Sequence, residues 1–340
     1  MSGSLSQASR SESPRSSRSW NVLKIILALV LVGVVLSKTD PNELFALRAR
    51  ILTPWIVVVF FLYSLMTSLK ALQYYFLLGR RLSYPHVLNI VVVQNAVSNF
   101  VATGAGIASY LMLFHLEHDM KLSRAALAFI MTKIGDLISI WLLLLVASLF
   151  QWAQVARFHG LIIVLLTVIG LAVVCFFITV FMRERFVSIA RSLLDSLRLG
   201  RLRLVTNAMD TLQSLADQEH GSVFRLMGTG ILLSLLYMAV TMAWLYASLR
   251  AFSLGIGVMP TAFVNTLIQV ISYLPVQVFG GLGLTETSML YFFGPFNLPQ
   301  AELATVLIAT RILFYLTNLV VLLYLPAYGV FRAHWSRPLT

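Results

Sequence analysis

Charge is what this sequence has least of. Only 11% of its 340 residues are Asp, Glu, Lys or Arg, while 59% are hydrophobic. A soluble chain of this length needs far more surface charge. That excludes a soluble globular protein and leaves an integral membrane protein with one membrane domain. Cysteine is almost absent as well. The single Cys175 excludes an intrachain disulfide, and its place in an apolar run reads as a small buried side chain. The sequence contains no HExxH, no GxSxG and no Gly-Lys-Ser/Thr loop, so no catalytic site or ATP site is visible. His115, Glu117, His118 and Asp119, in HLEHD, are types that bind metals, but they fall at an expected water interface where such residues are ordinary. We expect no catalytic residue, no metal and no cofactor.

The positive charge has a pattern. The net charge is +12, but the basic residues cluster between apolar runs, where cytoplasmic loops carry them. This is no nucleic-acid signal. Residues 1–20, rich in Ser and Arg, read as a disordered cytoplasmic tail. Asn21 to Ser37 follows and could pass for a signal-peptide core, but its apolar run is long and no small-x-small cleavage site appears before Lys38, which favours a retained first span. Further apolar runs lie near 54–78, 86–116, 125–150, 160–182, 225–250, 261–294 and 303–330.

Two of these runs are broken. TGAG, Thr103 to Gly106, interrupts the first, and Pro275 with FGGLG, Phe279 to Gly283, interrupts the second. Each piece after a break has about a dozen residues and reaches about 18 Å, against about 30 Å of hydrocarbon. Loop charge favours hairpins that enter and return. With the tail inside, hairpins keep Arg80, Arg81, Lys121, Arg124 and the six arginines between Arg183 and Arg203 on one cytoplasmic side. The expected architecture is all-α: about six transmembrane helices plus two re-entrant helical hairpins in an inverted-repeat arrangement. One polytopic domain covers 21–332, with halves at about 21–182 and 222–332. Segment 183–221, apolar at helical spacing with arginines off that stripe, reads as an amphipathic cytoplasmic linker.

Charges inside spans are costly, about 2.5–3.5 kcal/mol each, and usually face an interior. Lys133 and Asp136 share one helix face; Glu286 follows the second break; Arg311 lies within ATRILFYL. Each pair reads either as a structural ion pair or as part of a wet headgroup site. Lys70 reads as a residue that snorkels to an interface. Gly106, Gly281 and Gly283 leave backbone N–H groups at short-helix ends, which favour anions, or else permit close helix packing.

YLPVQVFGGLGLTE followed by ATRILFYL resembles the flippase-like transmembrane domain of lysylphosphatidylglycerol synthases. Pro275, Gly280, Gly281, Gly283, Glu286 and Arg311 follow that family's pattern in turn. Asn99 and Gly106 before KIGD resemble its earlier block, with Lys133 where Arg is usual and IASYL in place of a Glu and Arg. The resemblance covers roughly residues 20–330. It implies a multi-pass inner-membrane protein, with both termini cytoplasmic, that translocates an anionic or aminoacylated lipid. A separate synthase or glycosyltransferase would make that lipid, since no room for an aminoacyltransferase domain is expected after the last span. The substrate-binding set is then Lys133, Asp136, Glu286 and Arg311 with Gly106, Gly281 and Gly283. Homo-oligomerisation is left open. Two other readings stand beside it: a membrane enzyme or enzyme subunit acting on lipid-linked sugars, with Glu286 as base, and a scaffold recruiting a soluble lipid-modifying enzyme through segment 183–221.

Overall fold

The computed structural model describes residues 50–118, 122–181, 220–273 and 279–328, and among these all regular structure is helical. The helices are α1 (Thr53–Leu77), α2 (Tyr84–Phe100), α3 (Thr103–His118), α4 (Leu122–Phe150), α5 (His159–Phe181), α6 (His220–Ala251), α7 (Val258–Ile271), α8 (Leu284–Phe293) and α9 (Gln300–Leu322). Five described segments are long and apolar enough to cross a membrane: Thr53–Leu77, Ala125–Phe150, Ala156–Ile178, Arg225–Ala251 and Gln300–Tyr328. The expected tail and first span, most of segment 183–221, and Pro275 lie outside the described residues.

Local sequence explains several helix starts. Pro54 and Pro85 occupy the first turns of α1 and α2, where a missing N–H costs nothing and a fixed φ helps. α1 and α6 run antiparallel through the centre. The Leu52 N–H donates to the Ala251 carbonyl at 2.8 Å, tying the start of one to the end of the other. α4 approaches α6 closely because Gly135 has no side chain; a Cβ there would sit 2.7 Å from Ser234 Oγ. α5 is the most apolar span, and Val164, Val168 and Leu171 are exposed along it. In water that surface would be a liability; against lipid tails it is the ordinary solution. Cys175 lies exposed on this same helix, not buried as its sequence context predicts. A helix apolar all round leaves most of its side chains facing outward.

The two broken runs form two short helix pairs. α2 and α3 have 17 and 16 residues, and α7 and α8 have 14 and 10. None reaches the ~20 residues of a full span. α3 folds back on α2, with Gly106 lodged against Ser98 and the carbonyl of Gln94. The break falls at Val101 and Ala102, so TGAG opens α3 instead of interrupting it. α8 folds back on α7, and in the turn just past its end Phe296 has its ring 6.4 Å from that of Phe263 on α7. Between them Gly280, Gly281 and Gly283 all have positive φ, from 64° to 81°, a conformation that a Cβ penalises.

The pairs open toward opposite ends of the bundle and meet at their turns. At one end, Tyr324 OH donates to the Pro85 carbonyl beside the start of α2. At the other, Arg157 Nη2 donates to the Tyr291 carbonyl near the end of α8, and Arg50 lies 3.3 Å from Glu302. Between these ends the Phe279 N–H donates to the Val101 carbonyl at 3.2 Å. Gly280 packs so closely on the Asn99 backbone that a Cβ would lie 3.2 Å from its carbonyl oxygen. The contact sits beside Tyr63, near the middle of α1. Tyr63 OH and Asn99 Nδ2 each donate to Asn318 Oδ1 at 2.6 Å.

Candidate functional site

Two buried charge networks flank this meeting point. In the first, Glu286 stands in the first turn of α8, where the helix dipole and a free amide favour a carboxylate. Its Oε2 accepts from the Gly283 N–H at 2.6 Å. Its Oε1 lies 2.6 Å from Arg311 Nε on α9. Arg311 Nη1 donates to the Gly280 carbonyl at 3.1 Å, so one guanidinium clamps the glycine turn at two points. Its Nη2 is buried without a hydrogen-bond partner among the described residues.

The second network joins α1, α4 and α6. Lys70 Nζ donates to both oxygens of Asp136 at 2.8 Å and to Gln73 Oε1 at 3.1 Å. Ser234 Oγ donates to Asp136 Oδ1 at 2.9 Å, and Gln73 Nε2 donates to Ser234 Oγ at 2.6 Å. The Asp136 side chain is 3% exposed and that of Lys70 only 12%. A buried pair of this kind holds together because every charge is both paired and hydrogen-bonded.

A cavity of about 310 Å³ lies between the networks. Lys70, Lys133, Glu286 and Arg311 line it, with contributions from α1, α2, α3, α4, α6, α7, α8 and α9. Its volume is near the lower end of small-molecule sites, about 300–1,000 Å³. That admits a polar headgroup and excludes a pair of acyl chains. Five carboxamide residues, Gln94, Asn95, Asn99, Asn265 and Gln269, share the wall with those charges. Polar groups at this density among membrane spans need a hydrated or liganded space to face.

The family model described as the lysylphosphatidylglycerol synthase TM region matches residues 21–321. The chain belongs to that family. It is a multi-pass membrane protein. The match includes the predicted first span, 21–37, and the whole of the cavity. No curated protein and no solved structure matches the chain.

In this family member the predicted site residues fall into three groups. Lys133, Glu286 and Arg311 share the cavity. Asp136 stands behind the wall; its nearest partner is Lys70 at 2.8 Å, and the expected pair with Lys133 is the looser of the two. The Lys133 side chain is 39% exposed; its Nζ is 3.9 Å from Asp136 and lies over the rings of Phe129 and Tyr273. The reason is geometric: α1 delivers Lys70 head-on to Asp136, while Lys133 must reach along its own helix. Lys70 is thus a buried member of the site and does not snorkel. Gly106 and Gly283 act through the backbone in a different way from anion-binding turns. The Gly106 N–H donates to the Ala102 carbonyl and the Gly283 N–H to Glu286, so both amides are occupied. Gly281 is buried in the turn, and Gly280 is the glycine that reaches the cavity wall. The HLEHD side chains, residues 115–119, lie outside the described ones.

Sequence reasoning missed Gln73, Ser234, Trp244 and Asn318. A signal for two of them existed. Gln73 follows Lys70 by three residues, and Asn318 follows Arg311 by seven, both repeats of one helix face.

Proposed function

We propose that this protein moves an amphipathic lipid across the membrane, with the headgroup in the cavity and the tails left in the bilayer. One observation carries the reading: a charged, polar cavity lies where two helix pairs too short to cross meet turn to turn. Such a place gives a headgroup a polar half-way station, and apolar flanks such as α5 face the tails. In this reading α2–α3 and α7–α8 are re-entrant hairpins, and the halves carrying them form an inverted repeat. Movement then comes from one half tilting against the other about the Phe279–Val101 contact. A separate synthase or glycosyltransferase supplies the lipid.

The test is a reconstituted-vesicle assay with labelled phosphatidylglycerol. Wild-type protein should speed its exchange between leaflets well above the protein-free rate, and Lys133→Ala should slow it. Wild-type vesicles indistinguishable from empty ones would overturn the proposal.

The same reading places the protein in the inner membrane with its N- and C-termini in the cytoplasm, because that orientation leaves Arg80 and Arg81 inside. In a Cys175→Ser background, an impermeant thiol reagent added outside should label Arg250→Cys and spare Arg81→Cys. Labelling of both from one side would contradict the orientation.

A further inference from the structure

The class of headgroup follows from which polar groups at the cavity already have partners; this rests on the cavity being a headgroup site. Both nearby carboxylates are occupied. Glu286 holds Arg311 and the Gly283 amide. Asp136 holds Lys70 and Ser234. The aromatic faces beside them carry the protein's own cations: Lys70 over Tyr237 at 4.4 Å, Lys133 over Tyr273 at 5.0 Å and Arg311 over Phe314 at 5.2 Å. Tyr63 and Trp244 are packed with Phe314 in a ring cluster. An ammonium entering this space meets three resident cations, and among the described residues it finds each neighbouring carboxylate already paired.

The groups without partners are of the opposite kind. Arg311 Nη2 and Trp244 Nε1 are buried donors lacking a hydrogen-bond partner among the described residues. Thr310 Oγ1 and Gln94 Oε1 are buried and unpartnered in the same way. All four residues line the cavity. Arg311 and Thr310 are 9% and 5% exposed, so water at the surface does not satisfy them. Buried polar atoms are nearly always paired, and these point to an occupant that brings acceptors for two N–H groups and a donor for Gln94. The charge count agrees. Lys70, Lys133 and Arg311 stand against Glu286 and Asp136, an excess of one positive charge.

We infer that the cavity takes the headgroup of an anionic phosphodiester lipid bearing a polyol or sugar, and rejects an aminoacylated one. The phosphate carries one negative charge and accepts from Arg311 Nη2 and Trp244 Nε1. Hydroxyls of the polyol donate to Gln94 Oε1 and exchange hydrogen bonds with Thr310 and the carboxamides. An aminoacyl ester adds an ammonium to a site already positive, with no carboxylate left to receive it. The substrate class therefore differs from the lysylated lipid in the family's name.

The experiment measures thermal stabilisation of the detergent-purified full chain by short-chain phosphatidylglycerol, phosphatidylinositol and lysylphosphatidylglycerol. The first two should raise the unfolding temperature, and the third should leave it unchanged at equal concentration. Trp244→Phe keeps the ring and removes the N–H; it should weaken phosphatidylglycerol binding about tenfold. Lys133→Glu, at a half-exposed position, should weaken phosphatidylglycerol further and admit the lysylated lipid. Stabilisation by lysylphosphatidylglycerol equal to that by phosphatidylglycerol would overturn the inference, as would no stabilisation by any of the three. Binding of phosphatidylglycerol without movement in vesicles would refute transport and leave the headgroup assignment standing.

Discussion

Arg311→Met should destabilise the protein by about 3–5 kcal/mol, because it strands a buried carboxylate. Glu286 is 6% exposed, and without the guanidinium it keeps only the Gly283 N–H. The same change releases the Gly280 carbonyl, which accepts from Arg311 Nη1. The glycine turn then loses its clamp at the point where it meets Asn99 and Val101. Adding Glu286→Gln should recover much of the loss. A glutamine oxygen still accepts from Gly283, and no charge is left unpaired. Lipid movement should not recover, since the donor Arg311 Nη2 is gone from the cavity. Unfolding temperatures and vesicle exchange rates of wild type, both single variants and the double variant check this. A double variant as unstable as Arg311→Met would show that the loss lies in the Gly280 contact and not in the buried charge. A double variant that moves lipid at the wild-type rate would make the pair structural only.

Asp136→Ala should cost a similar amount, about 3–5 kcal/mol, because it leaves Lys70 buried with only Gln73 Oε1 and the Tyr237 face beside it. Lys70→Met in that background should restore part of the stability. The comparison that decides the pairing is between the two lysines. Lys133→Ala should cost less than about 1 kcal/mol, since its side chain is 39% exposed and its ammonium lies 3.9 Å from Asp136. Lys70→Ala should cost several times more, because it leaves Asp136 buried at 3% exposure. Equal effects of the two lysine substitutions would show that Asp136 is shared between them, contrary to the distances.

Length of apolar run proved a sound guide to the elements. The runs near 54–78, 125–150, 160–182, 225–250 and 303–330 all became long apolar helices, because helix is what satisfies the backbone among lipid tails. The two broken runs became short helix pairs, the second turning where Gly280, Gly281 and Gly283 adopt backbone angles that other residues avoid. Even here local detail escaped: Gly106 of TGAG serves the packing of α3 on α2, while the first turn falls at Val101 and Ala102. Glycine's two uses, turning and close approach, look the same in one dimension.

The sequence by itself determined that this chain is a helical, multi-pass membrane protein, which buried charges are expensive enough to matter, and the family to which it belongs. Composition and run length are local properties, and the cost of a charge in hydrocarbon does not depend on its partner's place in the chain. Only the tertiary structure decided the partners. Lys70 meets Asp136 across 66 positions, Asn99 meets Asn318 across 219, and Glu286 meets Arg311 from a neighbouring helix. Those distances depend on how whole helices cross, and no spacing rule within one helix reaches that far.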